Sequence, residues 1–236
     1  MKIAGILFDK DGTLLDYHRS WLPANRGAAL MAADGDAAMA ERLLALGGYD
    51  PVREVILPGS VLAAGTTAEI AALWAESLPG CEVDALTARI DGVFVAAGRT
   101  DATPVTELAP FFLRLKSRKL ALGVATSDSY NGLHASLGRF GILELLDFTS
   151  AYDSGHGSKP GPGPLLAFCQ CTGLEPAQVA VVGDNQHDLE MASRGGAGLK
   201  IGVLTGTSGR AELEPLADHV LTDITALETL LDEVGE

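Results

Sequence analysis

The 236-residue sequence holds only three cysteines, Cys81, Cys169 and Cys171. That excludes a disulfide framework, because Cys169 and Cys171 stand two apart on an expected helix and face different directions, while Cys81 is remote. They read as small packing residues in a reducing compartment. Positive charge is scarce as well: 17 Lys and Arg stand against 31 Asp and Glu, for a net charge of −14. No basic stripe appears, which excludes a general affinity for nucleic acid or anionic membranes. Long apolar runs are also missing. The first run, Ile3–Phe8, is too short to span a bilayer and is not followed by a small-residue cleavage site. The chain is therefore read without a membrane segment or signal peptide, and its expected location is the cytoplasm.

Hydrophobic residues make up 47% of the chain, ample for a buried interior at this length. Short runs rich in Val, Ile and Leu, at Ile3–Phe8, Leu120–Thr126, Val179–Gly183, Leu199–Leu204 and His219–Leu221, are separated by stretches long enough for crossover helices. This pattern predicts an α/β fold, a parallel sheet covered on both faces. One interval breaks the alternation. Between Leu15 and about Thr103, four Ala- and Leu-rich stretches read as helices: Ala24–Ala33, Asp36–Leu46, Thr67–Leu78 and Val83–Ala97. The expected division is a core of residues 1–15 and 101–236 with a helical lobe of residues 16–100 inserted after the first strand. Two connecting strands form a natural hinge.

In parallel α/β sheets, ligands bind beyond the carboxyl ends of the strands. The polar residues there form one set: Asp9-Lys10-Asp11-Gly12-Thr13, Thr126-Ser127-Asp128, and Gly183-Asp184 with Asp188, while Lys159 lies in the Gly- and Pro-rich loop between the last two. Concentrated carboxylates repel one another and call for a cation, and oxygen ligands of this kind suit Mg²⁺. With the metal and Lys159 neutralising phosphate oxygens, the carboxylate of Asp9 can approach phosphorus and form an aspartyl-phosphate. Thr126 can donate to another phosphate oxygen. Asp11, crowded by like charge, can hold a proton near neutral pH, give it to the leaving oxygen and later take one from water.

These four motifs, in this order, resemble those of the haloacid dehalogenase-like hydrolase superfamily, phosphatase branch, nearest in pattern to phosphoglycolate phosphatases. The resemblance implies that Asp9 is nucleophile and metal ligand, that Asp11 is the acid/base and also offers its backbone carbonyl to Mg²⁺, and that Asp184 is a further metal ligand. Asp188 would bind metal through water or hold Lys159 in place. The resemblance also implies a Rossmann-like, doubly wound core with a mobile all-helical cap.

The expected activity is Mg²⁺-dependent hydrolysis of a small phosphate monoester, phosphoglycolate or a sugar phosphate. Its partner is thus a small phosphorylated metabolite, and the sequence leaves the oligomeric state open. The alternative is a sugar-phosphate mutase of the same superfamily, which shares the motifs. A non-enzymatic phospho-receiver fits poorly, since receivers are about half this length and lack the lobe. His18 and Arg19, at the neck of the lobe, are candidate substrate contacts. Arg53, Arg89 and Arg99 are weaker candidates for a carboxylate or second phosphate, because lobe helices carry ordinary surface arginines.

Overall fold

The first strand, β1 (Gly5–Phe8), is buried along its whole length. Successive side chains of a strand point to opposite faces. Ile6 and Phe8 accordingly enter one apolar cluster with Leu122, Val124 and Val182, while Leu7 enters the other with Val181 and Phe168. Burying each such side chain contributes about 1.5–3 kcal/mol, so any slip in register would forfeit most of it. A computed structural model describes residues 2–235; Met1 and Glu236, the ends of the expected core, lie outside the described residues.

After β1 the chain runs through α1 (Tyr17–Ala32), α2 (Ala37–Gly47), a ribbon of β2 (Tyr49–Asp50) and β3 (Val55–Ile56), α3 (Val61–Ala64), α4 (Thr67–Ala75) and α5 (Val83–Thr100). It then continues through α6 (Leu108–Ser117), β4 (Ala121–Ala125), α7 (Tyr130–Leu137), β5 (Phe148–Ser150), α8 (Gly163–Thr172), β6 (Val179–Gly183) and α9 (Gln186–Gly195). The last elements are β7 (Leu199–Val203), α10 (Arg210–Leu213), β8 (His219–Leu221) and α11 (Leu227–Gly235). The six core strands form a parallel sheet in the order β5-β4-β1-β6-β7-β8. This is the doubly wound, Rossmann-like arrangement. With β4 on one side of β1 and β6 on the other, the strand order reverses at β1, and a crevice opens beyond its carboxyl end.

The inserted segment departs from the expected reading in three places. It is helical except for the β2–β3 ribbon, it contains the short α3, and α1 begins at Tyr17, seven residues earlier than Ala24. Asp16 supplies the start signal by accepting the Arg19 N–H at 3.0 Å, and Pro23 is carried inside the helix. These helices have their own apolar cluster, which includes Ile70, Trp74, Leu86 and Ile90. The indole N–H of Trp74 is satisfied by the Leu43 carbonyl at 2.8 Å.

The two connections between the inserted helices and the sheet lie side by side. Leu15 and Pro104 form an antiparallel bridge, Asp16 N donates to Thr103 O at 2.9 Å, and Val105 N donates to Leu14 O at 3.0 Å. Val105 is thereby tied to the first connection, and α6 starts only at Leu108. A further strand, β5, escaped the sequence reading because Phe148-Thr149-Ser150 is short and mostly polar. Among the described residues, no helix is long and apolar enough to cross a membrane.

Candidate active site

The turn after β1 is tight enough to need glycine. Gly12 has φ +91°, and a Cβ there would lie 2.5 Å from the Asp184 carboxyl carbon. The same carboxylate is hemmed in from the other side by Gly206, where a Cβ would stand 1.7 Å from Oδ2. Asp184 also accepts the Thr207 N–H at 3.0 Å. The β1 turn and the loop after β7 thus close around the residue that ends β6.

Asp9, Asp184 and Asp188 each bring a carboxylate oxygen to one place, all within 4.8 Å of one another and all buried. Lys159 reaches this cluster from its loop and donates to Asp9 Oδ1 and to Asp188 Oδ1, both at 2.6 Å. Asp188 is fixed on its other oxygen by the Asn185 N–H at 3.1 Å, part of the cap of α9. Asp9 Oδ2 is buried with no hydrogen-bond partner. Burial, then the charges of Asp9 and Asp188, push the Asp184 carboxyl well above the usual carboxylate range. Burial likewise raises Asp188 to about 6, against the opposing pull of Lys159. Burial pulls the Lys159 ammonium down, but Asp188 and Asp9 outweigh it and hold the proton more firmly than usual. An orphaned carboxylate oxygen inside a cluster of under-neutralised carboxylates fits a hard divalent cation such as Mg²⁺.

Asp11 projects away from this cluster into a second network. Lys10, wholly buried, contacts both of its oxygens at 2.7 and 2.6 Å and pairs with Asp128 at 2.9 Å. The Trp21 ring lies over the Lys10 ammonium at 4.6 Å, and the Trp21 indole N–H donates to Asp11 Oδ1 at 2.5 Å. Burial pushes the Asp11 carboxyl up to about 6, with Lys10 opposing and Asp128 and Asp9 adding to the rise. Burial lowers the Lys10 ammonium, but Asp11 and Asp128 more than reverse this and raise it.

Thr126, at the end of β4, is buried at the same cavity, and its hydroxyl accepts the Asp128 N–H at 3.1 Å. The cavity measures about 80 Å³ and is walled by Asp9, Asp11, Thr126, Lys159, Asp184 and Asp188 on the sheet side. Six of the residues singled out from sequence therefore meet at one place. His18 and Arg19 do not join them: neither lines the cavity, and Arg19 is exposed. Lys10, Trp21 and Asp128 were not assigned site roles from sequence. A lysine between two carboxylates at a buried strand end was a signal for the first, since such a charge needs partners. Nothing in the sequence places Trp21 over it.

A model of haloacid dehalogenase-like hydrolases matches residues 3–196. The chain is 27% identical over 190 residues to an N-acetylmuramic acid 6-phosphate phosphatase of Pseudomonas aeruginosa, covering 80% of this chain and 77% of that one. It is 30% identical over 119 residues to a phosphoglycolate phosphatase of Pasteurella multocida, covering 50% of this chain and 53% of that one. A solved structure from Haemophilus somnus, described as a predicted phosphoglycolate phosphatase, superposes with a TM-score of 0.74 at 20% identity, covering 98% of each chain. The chain belongs to the haloacid dehalogenase-like hydrolase family. Within that family it resembles the phosphoglycolate phosphatase-like branch, and it is a phosphatase.

Proposed function

We propose that this phosphatase hydrolyses a small phosphate monoester by covalent transfer to Asp9, with Mg²⁺ as cofactor. The observation that carries the reading is the state of Asp9 itself: one oxygen is held by Lys159 at 2.6 Å, and the other is buried without a partner beside Asp184 and Asp188. A carboxylate so oriented is a nucleophile awaiting an electrophile.

Asp9, Asp184 and Asp188 would hold Mg²⁺ through their carboxylates, and Asp11 through its backbone carbonyl. The ion would supply positive charge opposite the phosphate oxygens. In the first step an Asp9 oxygen bonds to phosphorus as the ester P–O bond breaks, and the leaving oxygen takes the proton held on Asp11. In the second, water bonds to phosphorus, its proton passes to Asp11, and the Asp9–phosphorus link breaks. Lys159 and the Thr126 hydroxyl orient the phosphate oxygens. Residues 16–100 act as a mobile cap that closes over the sheet ends and excludes water, and the substrate is a small phosphorylated metabolite. His18 and Arg19 take no part.

The test is Mg²⁺-dependent release of phosphate from p-nitrophenyl phosphate, combined with acid quench of a turning-over sample. The expected result is a hydroxylamine-labile phosphoenzyme that is absent, together with activity, in Asp9→Asn. Full activity in Asp9→Asn would sink the mechanism. Strict isomerisation of a sugar phosphate with no free phosphate would replace hydrolysis by the mutase reading.

A further inference from the structure

The wall of the cavity facing the carboxylates comes from the inserted helices, and among the described residues it carries no cation. Trp21, Leu62, Ala64, Ile70 and Phe94 present apolar surface, while Tyr17 and Asn25 supply neutral polar atoms. The Tyr17 hydroxyl donates to the Leu62 carbonyl and accepts from the Asn25 amide at 3.4 Å.

Residues 16–100 contain no lysine and six arginines, and the arginines are directed elsewhere. Arg26 lies on Tyr49, Arg53 pairs with Asp50, and Arg89 pairs with Asp34 and the Met31 carbonyl. Arg19 and Arg42 are exposed, and Arg99 lines a separate groove beside Arg139. On the sheet side, Lys10 and Lys159 are already outnumbered by Asp9, Asp11, Asp128, Asp184 and Asp188. The remaining basic side chain of the lining, His187, belongs to the core helix α9 beside Asp188. A second anionic group on the leaving alcohol would therefore be buried against apolar wall and near carboxylates, with no counter-charge from the lobe.

We propose that the substrate is a monoester of an uncharged alcohol, a polyol or neutral sugar, and that esters carrying a carboxylate or second phosphate on the leaving group are rejected. The proposal rests on the phosphatase reading above and narrows it. Two matched pairs test it in saturating Mg²⁺: 2-hydroxyethyl phosphate against phosphoglycolate, and glucose 6-phosphate against 6-phosphogluconate. Each pair keeps the carbon skeleton and exchanges a neutral end for a carboxylate.

The neutral member is expected to have the higher kcat/KM by about 100-fold in the pair that is turned over, because like charges facing one another across a dry contact strongly disfavour binding. Ala64→Arg, which puts a cation into the wall, is expected to narrow that gap at least about tenfold by raising turnover of the carboxylate member. Equal or faster turnover of the carboxylate members by the unmodified enzyme overturns the proposal. So does turnover of neither pair while p-nitrophenyl phosphate is still hydrolysed, and in both cases the phosphatase reading stands. No release of phosphate from any of the five esters overturns that reading as well.

Discussion

The indole N–H of Trp21, in the first helix of the inserted segment, donates to a carboxylate oxygen of Asp11, in the turn after the first strand, across 2.5 Å. One hydrogen bond thus joins the lobe to the carboxyl group assigned to proton transfer. An N–H can only donate, so this contact favours an acceptor oxygen on Asp11. Trp21→Phe keeps the ring over Lys10 and removes the donor. A hydrogen bond to a charged group contributes about 1.5–3 kcal/mol, so the variant is expected to lose melting temperature and, where the bond also serves the transition state, up to roughly 10- to 100-fold in kcat. An unchanged kcat would detach Trp21 from the chemistry.

Lys159 stands between Asp9 and Asp188, and all three are buried. Removing one member of a buried ion network leaves uncompensated charge and costs about 3–5 kcal/mol. Lys159→Met is expected to lower stability to urea by that order in EDTA, and by clearly less in Mg²⁺, where the cation neutralises the same carboxylates. Activity should drop at least about 100-fold in either case, because a fixed charge on the phosphate is lost. Equal destabilisation with and without Mg²⁺ would separate Lys159 from the metal cluster.

Metal binding itself has a readout without turnover. A ligand bound only by the folded state stabilises it by about 2.7 kcal/mol at 100 times its dissociation constant. Adding Mg²⁺ to the EDTA-treated protein is expected to raise the melting temperature, and Asp184→Asn to abolish most of the rise. A full Mg²⁺ shift in Asp184→Asn would place the ion elsewhere.

Gly12 faces two obstacles to substitution, a φ of +91° and the Asp184 carboxyl carbon 2.5 Å from any added Cβ. The left-handed backbone alone costs a residue with a side chain about 1–2 kcal/mol. Gly12→Ala should therefore both lower the melting temperature and weaken the Mg²⁺-induced shift, since the displaced group is a proposed ligand. Loss of stability with an unaltered Mg²⁺ response would show that the turn relaxes without moving Asp184.

The sheet was legible in the sequence wherever a strand carries a short apolar run. Val179–Gly183 and His219–Leu221 fall where their runs predict, and Gly5–Phe8 lies within Ile3–Phe8. Phe148–Ser150 was not legible, because two of its three residues, Thr149 and Ser150, are polar and leave no apolar run to read. In the site, the meeting of Asp9, Thr126, Asp184 and Asp188 was legible because topology alone brings the carboxyl ends of β1, β4 and β6 together, and Lys159 was legible as the lone lysine of the loop that follows β5. The partners of Asp11 were not. The pairing of Lys10 with Asp128 depends on how two turns fold against each other, and Trp21 comes into reach only because α1 begins at Tyr17, ahead of Pro23.

The paired connections at Leu15 and Pro104 carry a consequence for how such an enzyme diversifies. The chain departs from the sheet and comes back through a single doorway, so whatever is built beyond it can be lengthened, shortened or exchanged without altering the register of any strand. On the proposed reading, the reaction and the choice of alcohol are written largely in separate stretches of sequence, with Trp21 as the link between them. An exchanged cassette would rewrite the second and keep the first only where it restores a donor to Asp11.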